Sequence, residues 1–243
     1  MEEIKLCASV EAESMDMFLC KLEEVQKTFS CVELRIDSIK NFKISFIHKV
    51  RELVYRTAVL SCRKKQDGGI HEINERLRLK IIKEGFKQGY DFIELDVQTA
   101  EEAYLMTSGN KRLILSYYDI QQTPSYLELV DIVKRMNALN PYIVKIATRI
   151  NTSQDEHSVY KLLIKLRSRQ KFILVGLGES SKRFNILASF SGNYFTYVQS
   201  NSGEVSGFAN EKALKEILKE IKIDSSSNGT VNEALSRLRI NNQ

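Results

Sequence analysis

"YIVKIATRINTSQDEHSVYKLLIKLRSRQKFILVGLG" (residues 142–178) sets two short apolar runs, 142–148 and 172–178, on either side of a stretch with helical spacing, 158–170. Short runs rich in β-branched residues read as buried strands, while apolar residues recurring every three to four positions read as one face of a helix. Six more such runs precede or follow it: "IKLCASV" (4–10), "VELRID" (32–37), "TAVLSCR" (57–63), "DFIELDV" (91–97), "RLILSYY" (112–118) and "YFTYVQ" (194–199). Another amphipathic segment, "EINERLRLKIIKEGFKQG" (72–89), lies between the third and fourth. Strand and helix alternating eight times is the pattern of parallel βα units. Eight units in 243 residues match the roughly 250 typical of a single (β/α)8 TIM barrel, the α/β fold expected here.

A doubly wound open sheet is the rival. It advertises itself by a glycine-rich turn after the first strand, and "ASVEAESMD" contains no glycine. "GLGESS" (176–181) has two glycines but follows the seventh run and lacks a third, so it reads as a plain strand-to-helix turn. The barrel is expected over 1–222, and the linker-like "DSSSNGT" (224–230) leads into a C-terminal tail, 223–243, with a short helix.

Composition narrows the function classes. Hydrophobic residues make up 43% and charged residues 28%, an ordinary globular balance. The net charge of +5 comes from 36 basic and 31 acidic residues without a like-charged block, which argues against a nucleic acid partner. Cys7, Cys20, Cys31 and Cys62 form no C-x-x-C pair, and His48, His71 and His157 are far apart, so no metal site is expected. The N-terminus lacks the basic-then-apolar pattern of a secretory signal, and no stretch approaches 18 uninterrupted apolar residues. The expected setting is cytoplasmic, away from membranes.

In a barrel of this kind, function sits at the C-terminal strand ends. Glu33 and Arg35 alternate with Val32, Leu34 and Ile36, so both share one face of their strand. Arg63 ends the third run, Glu94 and Asp96 alternate in the fourth, and Ser116 and Tyr118 close the fifth. Lys145 shares its face with Ile143 and Ala147. A lone charge at a strand end is commonly solvated or paired, but several strands contributing polar groups to one mouth suggest a site, because buried unpaired charge is costly. A lysine in an apolar strand beside Arg35 or Arg63 should give up its proton readily, and a neutral lysine forms imines with carbonyl carbon.

Laid out in this way, the chain resembles the type I 3-dehydroquinate dehydratases, Schiff-base lyases of the shikimate and quinate pathways. "VELRID" is similar to the family's E-x-R-x-D strand, and "SCRKKQDGG" to its arginine, acidic residue and glycine pair. "LILSYYDIQQTP" resembles S-Y-H-D-F-x-x-T-P, and "YIVKIAT" resembles the D-I-V-K-I-A lysine strand. The resemblance implies that Lys145 forms the imine, that Glu33 orients the proton shuttle, and that Arg35, Arg63, Asp67, Asn185, Ser206 and Asn210 surround a small anionic keto acid. It implies no cofactor, and a homodimer as the common assembly. Tyr118 stands where the family has its catalytic histidine, and Asn185 where it has a carboxylate-gripping arginine. A phenol is a poor base near neutrality, so slow turnover is expected unless Arg35 or Lys145 stabilises a phenolate. A silent binding or regulatory relative, or a Schiff-base enzyme for another keto acid, is the alternative.

Overall fold

The structure, a computed structural model, describes residues 4–102 and 112–199. Eight parallel strands run in the order β7-β6-β5-β4-β3-β2-β1-β8: β1 (Leu6–Val10), β2 (Cys31–Arg35), β3 (Thr57–Ser61), β4 (Phe92–Asp96), β5 (Leu113–Asp119), β6 (Ile143–Arg149), β7 (Phe172–Leu177) and β8 (Thr196–Gln199). Between them lie α1 (Met15–Thr28), α2 (Ser45–Leu53), α3 (Glu75–Lys87), α4 (Val97–Glu102), α5 (Tyr126–Ala138), α6 (Ser153–Leu166) and α7 (Lys182–Phe190). The expected (β/α)8 barrel is the fold. Among the described residues no helix is long and apolar enough to cross a membrane.

Strand positions follow the apolar runs to within about two residues, whereas helix ends depend on caps. The helix expected over 158–170 is displaced toward the N-terminus. Thr152 caps α6 by accepting from the Asp155 backbone N–H, and Asp155 reaches back to the Thr152 N–H. That reciprocal pair starts the helix at Ser153, before its apolar face begins. Ser125 and Glu128 do the same for α5.

Register fixes what faces the axis. Alternation with pleat places Cys31 and Glu33 on one face of β2, Phe92 and Glu94 on one face of β4, and Ile143, Lys145 and Ala147 on one face of β6. Cys31, Ile143 and Ala147 belong to the same buried cluster as Cys7, Val59, Ile114, Ile173, Phe195 and Tyr197, with Phe92 packed against it. Ser9 lies opposite Glu33, and Ser116 opposite Lys145. The N-terminal mouth is closed by rings: Phe92, Tyr142, Tyr194 and Phe195 contact one another at centroid separations from 4.8 to 6.0 Å. Polar residues are thereby concentrated in the other half.

The join between β7 and β8 is made differently from the other seven. The edge of β7 facing β8 presents Phe172, Leu174 and Gly176. Phe172 O accepts from the Tyr194 N–H at 2.8 Å. The Asn193 side chain takes the Leu174 N–H at 2.8 Å and donates to its carbonyl at 2.9 Å. Asn185 repeats this at Gly176, at 2.7 and 2.9 Å. Two side-chain amides thus stand in for a neighbouring strand and satisfy backbone groups that would otherwise be orphaned. Gly176 is required by close approach: a Cβ there would lie 2.6 Å from Ser181 Cβ and 2.7 Å from Ile150 Cδ1. Asn193→Ala removes both bonds at Leu174 and is expected to lower unfolding free energy by about 1–3 kcal/mol, measured by urea denaturation; an unchanged midpoint would show that the amide is not what closes the wall.

Candidate active site

Midway up the barrel, three strands and the segment just beyond β3 contribute charge to a buried cluster. Lys145 Nζ lies 2.8 Å from Glu94 Oε2 and 3.3 Å from Glu33 Oε1, and the three residues are only 2%, 3% and 1% exposed. Glu33 Oε1 also accepts from Arg63 Nη2 at 2.7 Å, and Glu33 Oε2 from the Ser9 hydroxyl at 2.7 Å. Burial alone would push the Glu33 carboxyl up, but Arg63, Lys145 and Arg35, with the Ser9 hydrogen bond, hold it well below the usual carboxylate range. Arg63 Nε approaches Glu94 to 3.8 Å, and its guanidinium lies over the Tyr118 ring at 4.8 Å. Two cations and two carboxylates therefore balance inside the barrel.

Two expectations change on this geometry. Lys145 does share Glu33 with Arg63, but the atoms touching its ammonium are carboxylate oxygens, not guanidinium nitrogens. Nor is Tyr118 a phenolate. Burial pushes its hydroxyl well above the ordinary phenol value; Arg63 opposes this, while Glu94 and Glu33 add to it. The hydroxyl donates a hydrogen bond to Glu94 Oε1. The carboxylate that meets Tyr118 is thus Glu94, whereas Glu33 faces Ser9, Arg63 and Lys145.

Above this cluster a pocket opens at the ends of β3, β4 and β5, lined by Ser61, Arg63, Asp67, Glu94, Asp96 and Tyr118 among others. The Ser61 hydroxyl and Arg63 Nε are buried there without a hydrogen-bond partner among the described residues, donors available to an oxygen-rich ligand. Asp67 ends a short 3-10 turn (Lys65–Asp67) whose shape depends on two glycines. Gly68 is left-handed at φ +85, and a Cβ on Gly69 would lie 2.7 Å from the carbonyl oxygens of Arg63 and Lys64. Burial, with the charge of Asp96, raises the Asp67 carboxyl to about 6. Burial also acts on Asp96, but Arg78, the Thr99 backbone N–H and Lys64 more than offset it, holding that carboxyl below its ordinary value. Arg78 reaches Asp96 at 2.9 Å and Lys64 reaches it at 3.0 Å.

Other residues singled out in the sequence are engaged elsewhere. Arg35 bonds both oxygens of Asp37 at 3.0 and 2.7 Å, Glu11 at 2.8 Å and the Gly68 carbonyl at 3.2 Å. Asp37 in turn accepts from the backbone N–H groups of Ile70 and Arg63. Arg35 therefore ties the loops after β1, β2 and β3 together and is not a wall of the pocket. Asn185, read as a substrate-side residue, clamps Gly176 at the β7 edge. Ser206, Asn210 and the tail 223–243 lie outside the described residues.

Glu94 and Tyr197 belong to the site and were not among the residues assigned a role from sequence. Period-2 alternation in "DFIELDV" already set Glu94 on the face of Phe92 and Asp96. Tyr197 gave no such signal: its ring lies 4.1 Å from Lys145 Nζ because β8 returns beside β1, and its buried hydroxyl has no hydrogen-bond partner among the described residues. Among the described residues no group of three or more His, Cys, Asp or Glu side chains gathers to hold a metal ion.

The sequence profile of the family described as Type I 3-dehydroquinase matches residues 6–225. A 3-dehydroquinate dehydratase of Coxiella burnetii is 28% identical over 197 residues, covering 81% of this chain and 84% of the relative. One of Methanococcus maripaludis is 27% identical over 224 residues, covering 89% of this chain and 100% of the relative. Among solved structures, 3-dehydroquinate dehydratase from Geobacillus kaustophilus superposes with a TM-score of 0.80 at 17% identity, over 91% of this chain and 92% of the other, a likeness of fold. With the profile spanning most of its length, the chain belongs to the type I 3-dehydroquinase family.

Proposed function

We propose that this barrel removes water from 3-dehydroquinate to give 3-dehydroshikimate, with Lys145 as the imine-forming residue. The observation that carries the reading is the Lys145 amine, buried inside the barrel and held by Glu33 and Glu94, the second of which also lines the pocket together with Arg63. The substrate assignment rests on family membership.

The two carboxylates act in opposite directions at different stages. Before the substrate arrives they hold an ammonium, which is no nucleophile, so one of them must take a proton before Nζ can attack the C3 ketone. Loss of water from the addition product leaves a protonated imine, and its charge is stabilised by the same oxygens that held the ammonium. That cation is the electron sink: removal of a C2 proton sends the C–H pair into an enamine, and expulsion of the C1 hydroxyl returns the conjugated iminium. Water then releases the enone and restores the amine. Arg63 Nε and the Ser61 hydroxyl are the donors nearest at hand for the substrate's oxygens. Tyr118, a neutral phenol held by Glu94, orients that carboxylate and moves no proton itself.

A binding relative without turnover is the second reading. It is favoured by the close grip on Lys145 and the absence of an ionised phenol at 118.

Borohydride separates the two. Reduction in the presence of 3-dehydroquinate is expected to leave a mass adduct on Lys145, with enone absorbance growing in unreduced samples. Adduct without enone supports the binding reading, and no adduct removes the covalent one. Lys145→Met is expected to abolish the adduct and to cost about 3 kcal/mol of stability in urea denaturation, near the low end for breaking a buried ion cluster, because Arg63 still faces both carboxylates.

A further inference from the structure

We propose that the Asp67 carboxyl is the group that carries the proton during dehydration, taking it from C2 and delivering it to the departing C1 hydroxyl. This rests on the dehydratase reading and assigns it a residue. The cluster around Lys145 leaves the role vacant. Glu33 is occupied by Ser9, Arg63 and Lys145, and Glu94 by Lys145 and Tyr118. Tyr118 keeps its own proton.

Asp67 differs from each of them. It lines the same pocket as Glu94, Arg63 and Tyr118, and its carboxyl accepts no hydrogen bond from any described residue. The turn that presents it is fixed on both sides. The Gly68 carbonyl accepts a hydrogen bond from Arg35, and Gly69 packs against the chain at Arg63 and Lys64 too closely for any side chain. A free carboxyl on a braced turn is what a proton carrier needs, since it must change protonation without the loop moving.

The charges around it are of both signs. Asp96, from β4, raises it, whereas Lys64 and Arg63, from the end of β3, and Arg78, from α3, pull the other way. Tyr117, on β5, feels the Asp67 charge, and Glu94 and Tyr118 share the pocket wall. Asp96, pinned by Arg78 and Lys64, remains the permanent anion of the pair, and Asp67, at about 6, is left to exchange a proton near neutrality. Two carboxyls whose surroundings push them apart in this way divide the roles of fixed charge and proton carrier.

The step balances. Ionised Asp67 accepts the C2 proton as the C–H pair moves to the enamine. The enamine then expels the C1 oxygen, which leaves as water with the proton from Asp67. The carboxylate is restored, and one water has left the substrate.

Because the first half needs the ionised form, kcat/KM should rise with pH through about 6 and flatten above it. In Asp67→Asn, borohydride trapping on Lys145 should persist while enone formation falls by about 10²-fold or more and the rise near pH 6 disappears. Asp67→Glu should restore part of the rate together with the rise. A stability readout is independent of turnover. The folded carboxyl sits near 6 against an ordinary 3.8, so ionisation opposes folding as pH climbs between those values. Asp67→Asn should therefore raise Tm at about pH 8 and leave it unchanged at about pH 4.

Turnover within tenfold of the parent in Asp67→Asn, a retained rise near pH 6, loss of the Lys145 adduct along with the enone, or no gain in Tm at about pH 8 would each overturn the assignment. A parent protein giving neither adduct nor enone instead overturns the dehydratase reading on which it rests.

Discussion

A charged amine sealed inside a barrel must be answered by opposite charge close by, and that requirement organises this molecule. Lys145 could not be buried at 2% exposure without Glu33 and Glu94 at hydrogen-bonding distance. Those carboxylates need Arg63, and Arg63 needs the loop that Asp37 and Arg35 hold in place. Each partner comes from a different strand, β2, β4 and β6, with Arg63 just beyond β3. The cluster therefore exists only if the strands close in this order and register. Fold and site depend on the same condition.

Separation of polar from apolar content along the axis makes this affordable. Aromatic rings at one mouth and aliphatic residues above them supply the dry packing. The charged half can then be chosen for chemistry. The arrangement is asymmetric in a second sense: Glu33 and Asp96 are held ionised by several partners each, while Asp67 is held above its ordinary value by burial and by Asp96. A fixed anion, Asp96, and a labile one, Asp67, line one pocket, a contrast typical of sites that move protons.

The fold was readable because its signal is repetitive. Eight apolar runs separated by amphipathic segments leave few arrangements, and Lys145 stood out as a charge within one of those runs. What could not be read was the sign of its surroundings. Sequence placed arginines near the lysine but did not say that carboxylate oxygens would lie between. Tyr118 illustrates the same limit. Whether a phenol beside cations ionises depends on burial and on where Glu94 points, and both are set by strand register. The places of Arg35 and Asn185 could not be read for another reason. Their side chains bond to backbone and to loops distant in sequence, and such bonds leave no periodic trace.

The asparagine clamps have a mechanical meaning for the cylinder. Strands zipped by a shared ladder part cooperatively, whereas Asn193 and Asn185 are separate latches, each rooted in its own turn or helix. The wall thus has a natural parting line running parallel to its axis. In the strand order that line lies farthest from β3 and β4, which lead to Arg63 and Glu94, and one strand away from Lys145 on β6.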